Sequence, residues 1–178
     1  MRGERELGSR PRAVRMLRTR LLFALGVCLL PAMLAGSQAT PPATLSVALR
    51  AHVQTERFGI VTSIRGLPLG VRDALQTLFA SPALDIAEPG ASFQATDVVV
   101  IPALPIRRLV AAGCSIDHCL VYYERGGVAH TWQVALFHWT PALTRFEWGG
   151  VAPRGLTSID DVRSAVLSGA VKGPARFW

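Results

Sequence analysis

The apolar positions of this chain change period along its length, and each change predicts an element. Leu45-Ser46-Val47-Ala48-Leu49-Arg50 alternates weakly with period two and predicts an edge strand. Phe58 to Ile64 is rich in β-branched residues and predicts a second strand. Val71, Leu75, Leu78 and Phe79 then recur at helical spacing, with Arg72, Asp73 and Gln76 between them. Pro68 suits a first helical turn and Pro82 stops the pattern, so a helix is expected over about 68–80. Residues 82–97 hold two prolines, a glycine and three acids, and are expected to form a long surface loop. Asp97-Val98-Val99-Val100-Ile101 is a continuous apolar run, the pattern of a strand buried on both faces, and Pro102 and Pro105 end it.

From Cys114 to Trp148 the pattern predicts a three-stranded antiparallel meander. Gly126-Gly127 separates two β-rich runs, as in a two-residue hairpin. That register opposes Tyr123 to His130, Val121 to Trp132 and Cys119 to Val134. One face then carries Cys119, Val121, Tyr123, His130, Trp132, Val134, Leu136 and His138, and is expected to lie on the core. The other carries Leu120, Tyr122, Glu124, Thr131, Gln133, Phe137 and Trp139. The turn Thr140–Leu143 leads into a third strand. With Phe146 and Trp148 on the core face, Arg145 and Glu147 point to the other side, and a slip of one residue reverses the assignment.

Near the end, Ser158 followed by Asp161 resembles a capping box. Ile159, Val162 and Val166 repeat at helical spacing and Gly169 is a stop signal, so a second helix is expected over about 158–168. The fold class expected is α+β: a mostly antiparallel twisted sheet, with the meander at 119–148 joined by shorter N-terminal strands. Both helices are expected on one face.

Composition adds a compartment. Arg15, Arg18 and Arg20 precede an apolar run from Leu21 to Leu30, and small residues surround Ser37-Gln38-Ala39. Basic, apolar, then small-x-small is the order of a secretory signal peptide, so 1–39 is expected to be a leader, with Met16 an alternative start. A membrane anchor through an uncleaved 21–35 is the alternative, although about 20 apolar residues are needed to span. Residues 40–44 are a linker and 45–178 a single domain, with no later run long enough to cross a bilayer. The leader, linker and compact domain together give the look of a small exported bacterial protein. The formal charge is +7, but residues 1–39 hold seven Arg and two Glu, whereas residues 40–178 hold eleven Arg, one Lys and ten acids. The folded part is therefore nearly balanced, and a nucleic-acid partner is not expected.

Export leaves Cys114 and Cys119 as an even pair in an oxidising compartment, and a disulfide between them is expected. The neighbouring Cys114, His118, Cys119 and His130 lack metal-ligand spacing, because His118 and Cys119 point to opposite sides of a strand. No metal or cofactor is expected. No Gly-x-Ser-x-Gly elbow and no phosphate-binding glycine loop occurs in the sequence. The leading expectation is a non-enzymatic envelope module that binds a protein, peptide or other ligand. Its contact surface would be the sheet face around Tyr122, Phe137 and Trp139, with Gln133 and Arg145, since aromatics interleaved with polar groups resemble a recognition surface. The alternative is a small exported hydrolase in which Cys119 is activated by His130.

Overall fold

The computed structural model describes residues 44–98 and 101–173, so the expected leader, most of the linker and the last five residues lie outside the described residues. The elements are α1 (Val47–Thr55), β1 (Gly59–Val61), a short 3-10 turn (Ile64–Gly66), α2 (Leu69–Leu78), β2 (Arg107–Cys114), β3 (His118–Arg125), β4 (Thr131–Trp139), β5 (Thr144–Ala152) and α3 (Ile159–Leu167). The strands form one antiparallel sheet in the order β1-β2-β3-β4-β5. This is the α+β class expected from the sequence.

The sheet is covered on both sides. Leu120, Tyr122, Val134, Leu136 and Trp148 pack beneath α3, whose Ile159, Val162 and Val166 face them, and beneath Val53 of α1. Cys119, Val121, Tyr123, Ala135 and Phe137 pack beneath Val71 and Leu75 of α2. The two expected helices therefore lie on opposite faces. The reason is visible in β3: residues 118–124 are all buried, so neither face of that strand can be left to water.

Four local expectations are corrected. The expected strand at 45–50 is instead the start of α1, because Ser46 caps it through Leu49 N at 3.2 Å and Leu49 and Val53 lie one turn apart toward the α3 side. The described part of the apolar run 97–101 is neither strand nor buried. Val98 is 65% exposed and Ile101 51%, while Val99 and Val100 lie outside the described residues. The place beside β3 is taken by 107–114 instead. The loop 82–97 is partly interior: Ile86 and Ala87 are buried, and Ala87 pairs with Arg108 beside β2.

The fourth correction is the hairpin register. Cys119 faces Phe137, Tyr122 faces Val134 and Glu124 faces Trp132, a slip of three residues from the two-residue turn. Residues 126–130 loop out, with Gly127 at φ +106°. An odd slip exchanges the two faces of β4 relative to β3. Gly126 is fixed elsewhere: its N–H donates to Ile106 O at 2.8 Å, and a Cβ there would lie 1.8 Å from Gln94 O. Next along, a bulge opposes Leu136 to Trp148 and Phe137 to Phe146, so Phe146 and Trp148 fall on opposite faces.

Several of the polar groups in this interior are paired across elements. Arg107 donates to Asp85 Oδ2 at 2.7 Å, and Ile106 N donates to Asp85 Oδ1 at 3.0 Å. Burial holds the Arg107 guanidinium below its ordinary pKa, opposed by Tyr123 and Asp85. The Tyr122 hydroxyl donates to Pro153 O at 2.8 Å, and Tyr123 donates to Gln133 Oε1 at 3.1 Å. Desolvation pushes the Tyr122 phenol up to about 12 and raises Tyr123 as well.

Two outcomes are expected. Asp85→Asn removes the partner of a buried guanidinium and should lower unfolding free energy by about 3 kcal/mol in a denaturant titration. The double variant with Arg107→Met should recover part of that loss. The tyrosines ionise at about 10 in the unfolded chain and higher in the fold, so the unfolded state releases their protons first. Stability should hold below pH 10 and fall as pH rises through about 12, with ultraviolet phenolate absorbance appearing together with unfolding. Phenolate absorbance that rises fully before unfolding would contradict this.

Candidate functional site

The structure separates the residues that the expected register had grouped. Tyr122 is buried on the α1/α3 face, and Phe137 and Gln133 are buried on the α2 face. Gln133 is occupied by Tyr123 and by Thr131 Oγ1, the latter at 3.3 Å. These three are interior groups and form no shared surface. Cys119 and His130 are not brought together either. Cys119 is bonded to Cys114 directly opposite it, as expected for the pair, and faces Phe137 on its other side. His130 lies at the far end of β3, its Nε2 2.8 Å from Glu124 Oε2 and its ring stacked on Trp132. With its sulfur in the disulfide and His130 at the other end of β3, Cys119 is not paired with His130 as the alternative expected.

Trp139 and Arg145 remain at the surface, where they border a groove. Gly70 lets α2 approach β5, since a Cβ there would lie 2.2 Å from Thr144 Oγ1. Between α2 and the β4–β5 turn a groove of about 1100 Å³ opens, walled by Leu69, Asp73, Leu78, Trp139, Leu143 and Arg145. The turn is rigid: Thr140 N donates to Leu143 O at 2.7 Å, and Leu143 N donates to Thr140 Oγ1 at 3.1 Å. The Trp139 indole N–H is buried against the α2-side cluster and has no hydrogen-bond partner. β5 is the edge of the sheet. Val151 pairs with Lys172, but among the described residues no strand covers 144–148.

A second cluster lies at the same end of the sheet. His52 in the last turn of α1 and Glu56, the C-cap of that helix, are in hydrogen-bond contact, Nδ1 to Oε1. His118 Nδ1 lies 2.8 Å from Asp117 Oδ1 and 3.2 Å from both Glu56 oxygens. One ligand atom from each of His52, Glu56, Asp117 and His118 lies within 4.8 Å of every other. The rings of His52 and His138 flank His118, with centroids 4.2 and 5.4 Å away. The two halves are anchored separately. Arg163 of α3 donates to the carbonyls of Val53, Gln54 and Glu56 and holds the end of α1. Ser115 bonds Glu56 and also accepts from His118 N at 2.9 Å, in a turn closed by the disulfide.

The sequence pattern groups His118 with Cys114, Cys119 and His130, and gives no signal that joins it to His52, Glu56 and Asp117. The His-x3-Glu spacing of 52 and 56 is a one-face pair on a helix. It was hidden because the preceding residues read as a strand.

No protein-family model matches the chain, and no curated protein or solved structure is significantly similar to it. The site's chemistry therefore has to be argued from its own atoms. Among the described residues no helix is long and apolar enough to cross a membrane.

The bridge closes a short loop, with Cys114 and Cys119 five residues apart, so loop entropy allows it about 2 kcal/mol. Thiol titration of the folded, unreduced chain should find neither sulfur free. Reduction should lower stability by about 2 kcal/mol or less without unfolding the domain at room temperature. A larger loss would mean that the bridge holds more than its own turn.

Proposed function

We propose that this protein is a non-enzymatic, exported binding module whose ligand is an extended peptide segment, taken into the groove between α2 and the β4–β5 turn. The observation that carries the reading is the juxtaposition of an apolar trough with a sheet edge that no strand among the described residues covers. Residues 144–148 offer backbone donors and acceptors, and Trp139, Leu69 and Leu143 offer apolar contact beside them. A peptide added along such an edge gains main-chain hydrogen bonds, and its alternate side chains enter the trough. Leu69 is 63% exposed and Leu143 52%, a poor use of large apolar side chains unless something covers them. The leader pattern and the cysteine pair favour an envelope or secreted setting, where the bridge persists. Of the residues first expected to make contact, Trp139 and Arg145 keep that role; Tyr122, Phe137 and Gln133 serve the interior.

The test is selection of a random peptide library on the immobilised full-length chain. Peptides with alternating apolar residues should be enriched. Leu69→Glu and Leu143→Glu should each weaken a selected peptide at least about tenfold, since each buries a charge against an apolar contact. Both side chains are exposed, so the melting temperature should move by only about 2 °C. Trp139→Ala should weaken capture as well. No enrichment, or binding that neither Glu variant disturbs, would refute the groove as the site.

A further inference from the structure

We infer that His52, Glu56, Asp117 and His118 form a binding site for one divalent transition-metal ion, of which Zn²⁺ is the best match. This site lies apart from the peptide groove and needs no peptide there, although Arg145, which borders the groove, also braces Glu147 here. The donor set is two imidazole nitrogens and two carboxylates. Mg²⁺ and Ca²⁺ prefer six or more oxygen ligands, so this set selects against them. Zn²⁺ accepts four ligands of this kind at about 2.0–2.2 Å. Four atoms within 4.8 Å of one another need only a small contraction to reach the edges of that tetrahedron, about 3.3 Å long by the same bond lengths. The present contacts are imidazole–carboxylate hydrogen bonds, and the ion takes the place of the shared protons.

The surroundings of His118 strengthen the assignment. A metal-bound imidazole usually donates its other ring N–H to a carboxylate, which fixes the ring and raises its basicity. Here Nδ1 faces the cluster, while Nε2 points at Glu147 Oε2, 3.7 Å away. That oxygen is buried and has no hydrogen-bond partner. The other Glu147 oxygen is held by Arg145, from Nε at 2.9 Å and Nη2 at 2.8 Å. Glu147 is thus an aimed acceptor on the side of His118 away from the cluster, the second half of a carboxylate–histidine–metal arrangement. The ligands also come from two independently braced elements, α1 under Arg163 and the disulfide-closed turn, which is the preorganisation a site requires. With four protein ligands the site is closed, which fits structural holding or capture of the ion rather than catalysis.

The purified full-length chain, stripped with a chelator, should be titrated with Zn²⁺, and with Co²⁺ as an optical probe. One ion per chain at micromolar Zn²⁺ and the strong visible absorption of tetrahedral Co²⁺ are expected. His52→Gln and Asp117→Asn are the informative variants: these side chains are 43% and 36% exposed, so the fold tolerates the change. Each should lower affinity about tenfold or more, and Glu147→Gln should lower it less. His130→Gln, at the other end of β3, should bind as the parent does. Absence of stoichiometric binding would overturn the inference, as would binding that survives both His52→Gln and Asp117→Asn. Because Leu69→Glu and Leu143→Glu leave this cluster intact, failure here and failure of the peptide groove are separable.

Discussion

Burial of β3 on both sides is the constraint that the rest of this structure answers. From His118 to Glu124 no residue of the strand is left to solvent. Leu120 and Tyr122 must be covered from one side, and Cys119, Val121 and Tyr123 from the other. Two helices and one helix supply that cover, and their placement follows from apolar area that would otherwise face water. β2 and β4 flank the strand for the same reason, and the shorter β1 and the partly paired β5 are pushed to the edges.

Placing that strand in the middle concentrates polar chemistry at its two ends. Glu124, buried, is held by Arg108 at 2.6 Å and by His130 at 2.8 Å. His118, also buried, is surrounded by Asp117, Glu56 and Glu147. A strand that ends in buried ionisable groups needs partners brought from elsewhere in the chain, since unpaired burial is costly. At the Glu124 end the partners come from β2 and the hairpin loop. At the His118 end they come from α1 and β5, which is why that end gathers the more varied donor set.

The sequence carried much of the class and little of the register. Proline and glycine punctuation placed α2 and α3 to within a residue or two, because Pro68, Ser158 and Gly169 act locally. The capping box at Ser158 and Asp161 forms as its spacing implied. Registers are set by long-range packing instead. When Cys119 through Tyr123 are all destined for the interior, alternation no longer says which neighbour they face, so the Gly126-Gly127 pair was read as a tighter turn than it makes. The contact surface failed for the same reason: once β4 shifts by an odd number, Tyr122 parts from Phe137. Trp139, at the end of β4, is only partly covered, packed against the α2-side cluster. The cluster at His118 was illegible because α1, which supplies half of it, was read as a strand, and no spacing rule links His52 to a residue so far along the chain.

The brace on α1 has its own consequence. That helix is fastened mainly by a few side chains: Arg163 reaches three of its carbonyls, Ser115 bonds Glu56, and Arg50 donates to Leu167 O. Short helices held by few anchors sit at the low end of a protein's range of opening energies. Detaching α1 would uncover Leu120 and Tyr122 only in part, since α3 stays over them, yet it would take His52 and Glu56 away from His118 in one motion. Amide-exchange protection of α1 thus reports on the integrity of the histidine cluster, residue by residue, while the sheet beneath it stays shut.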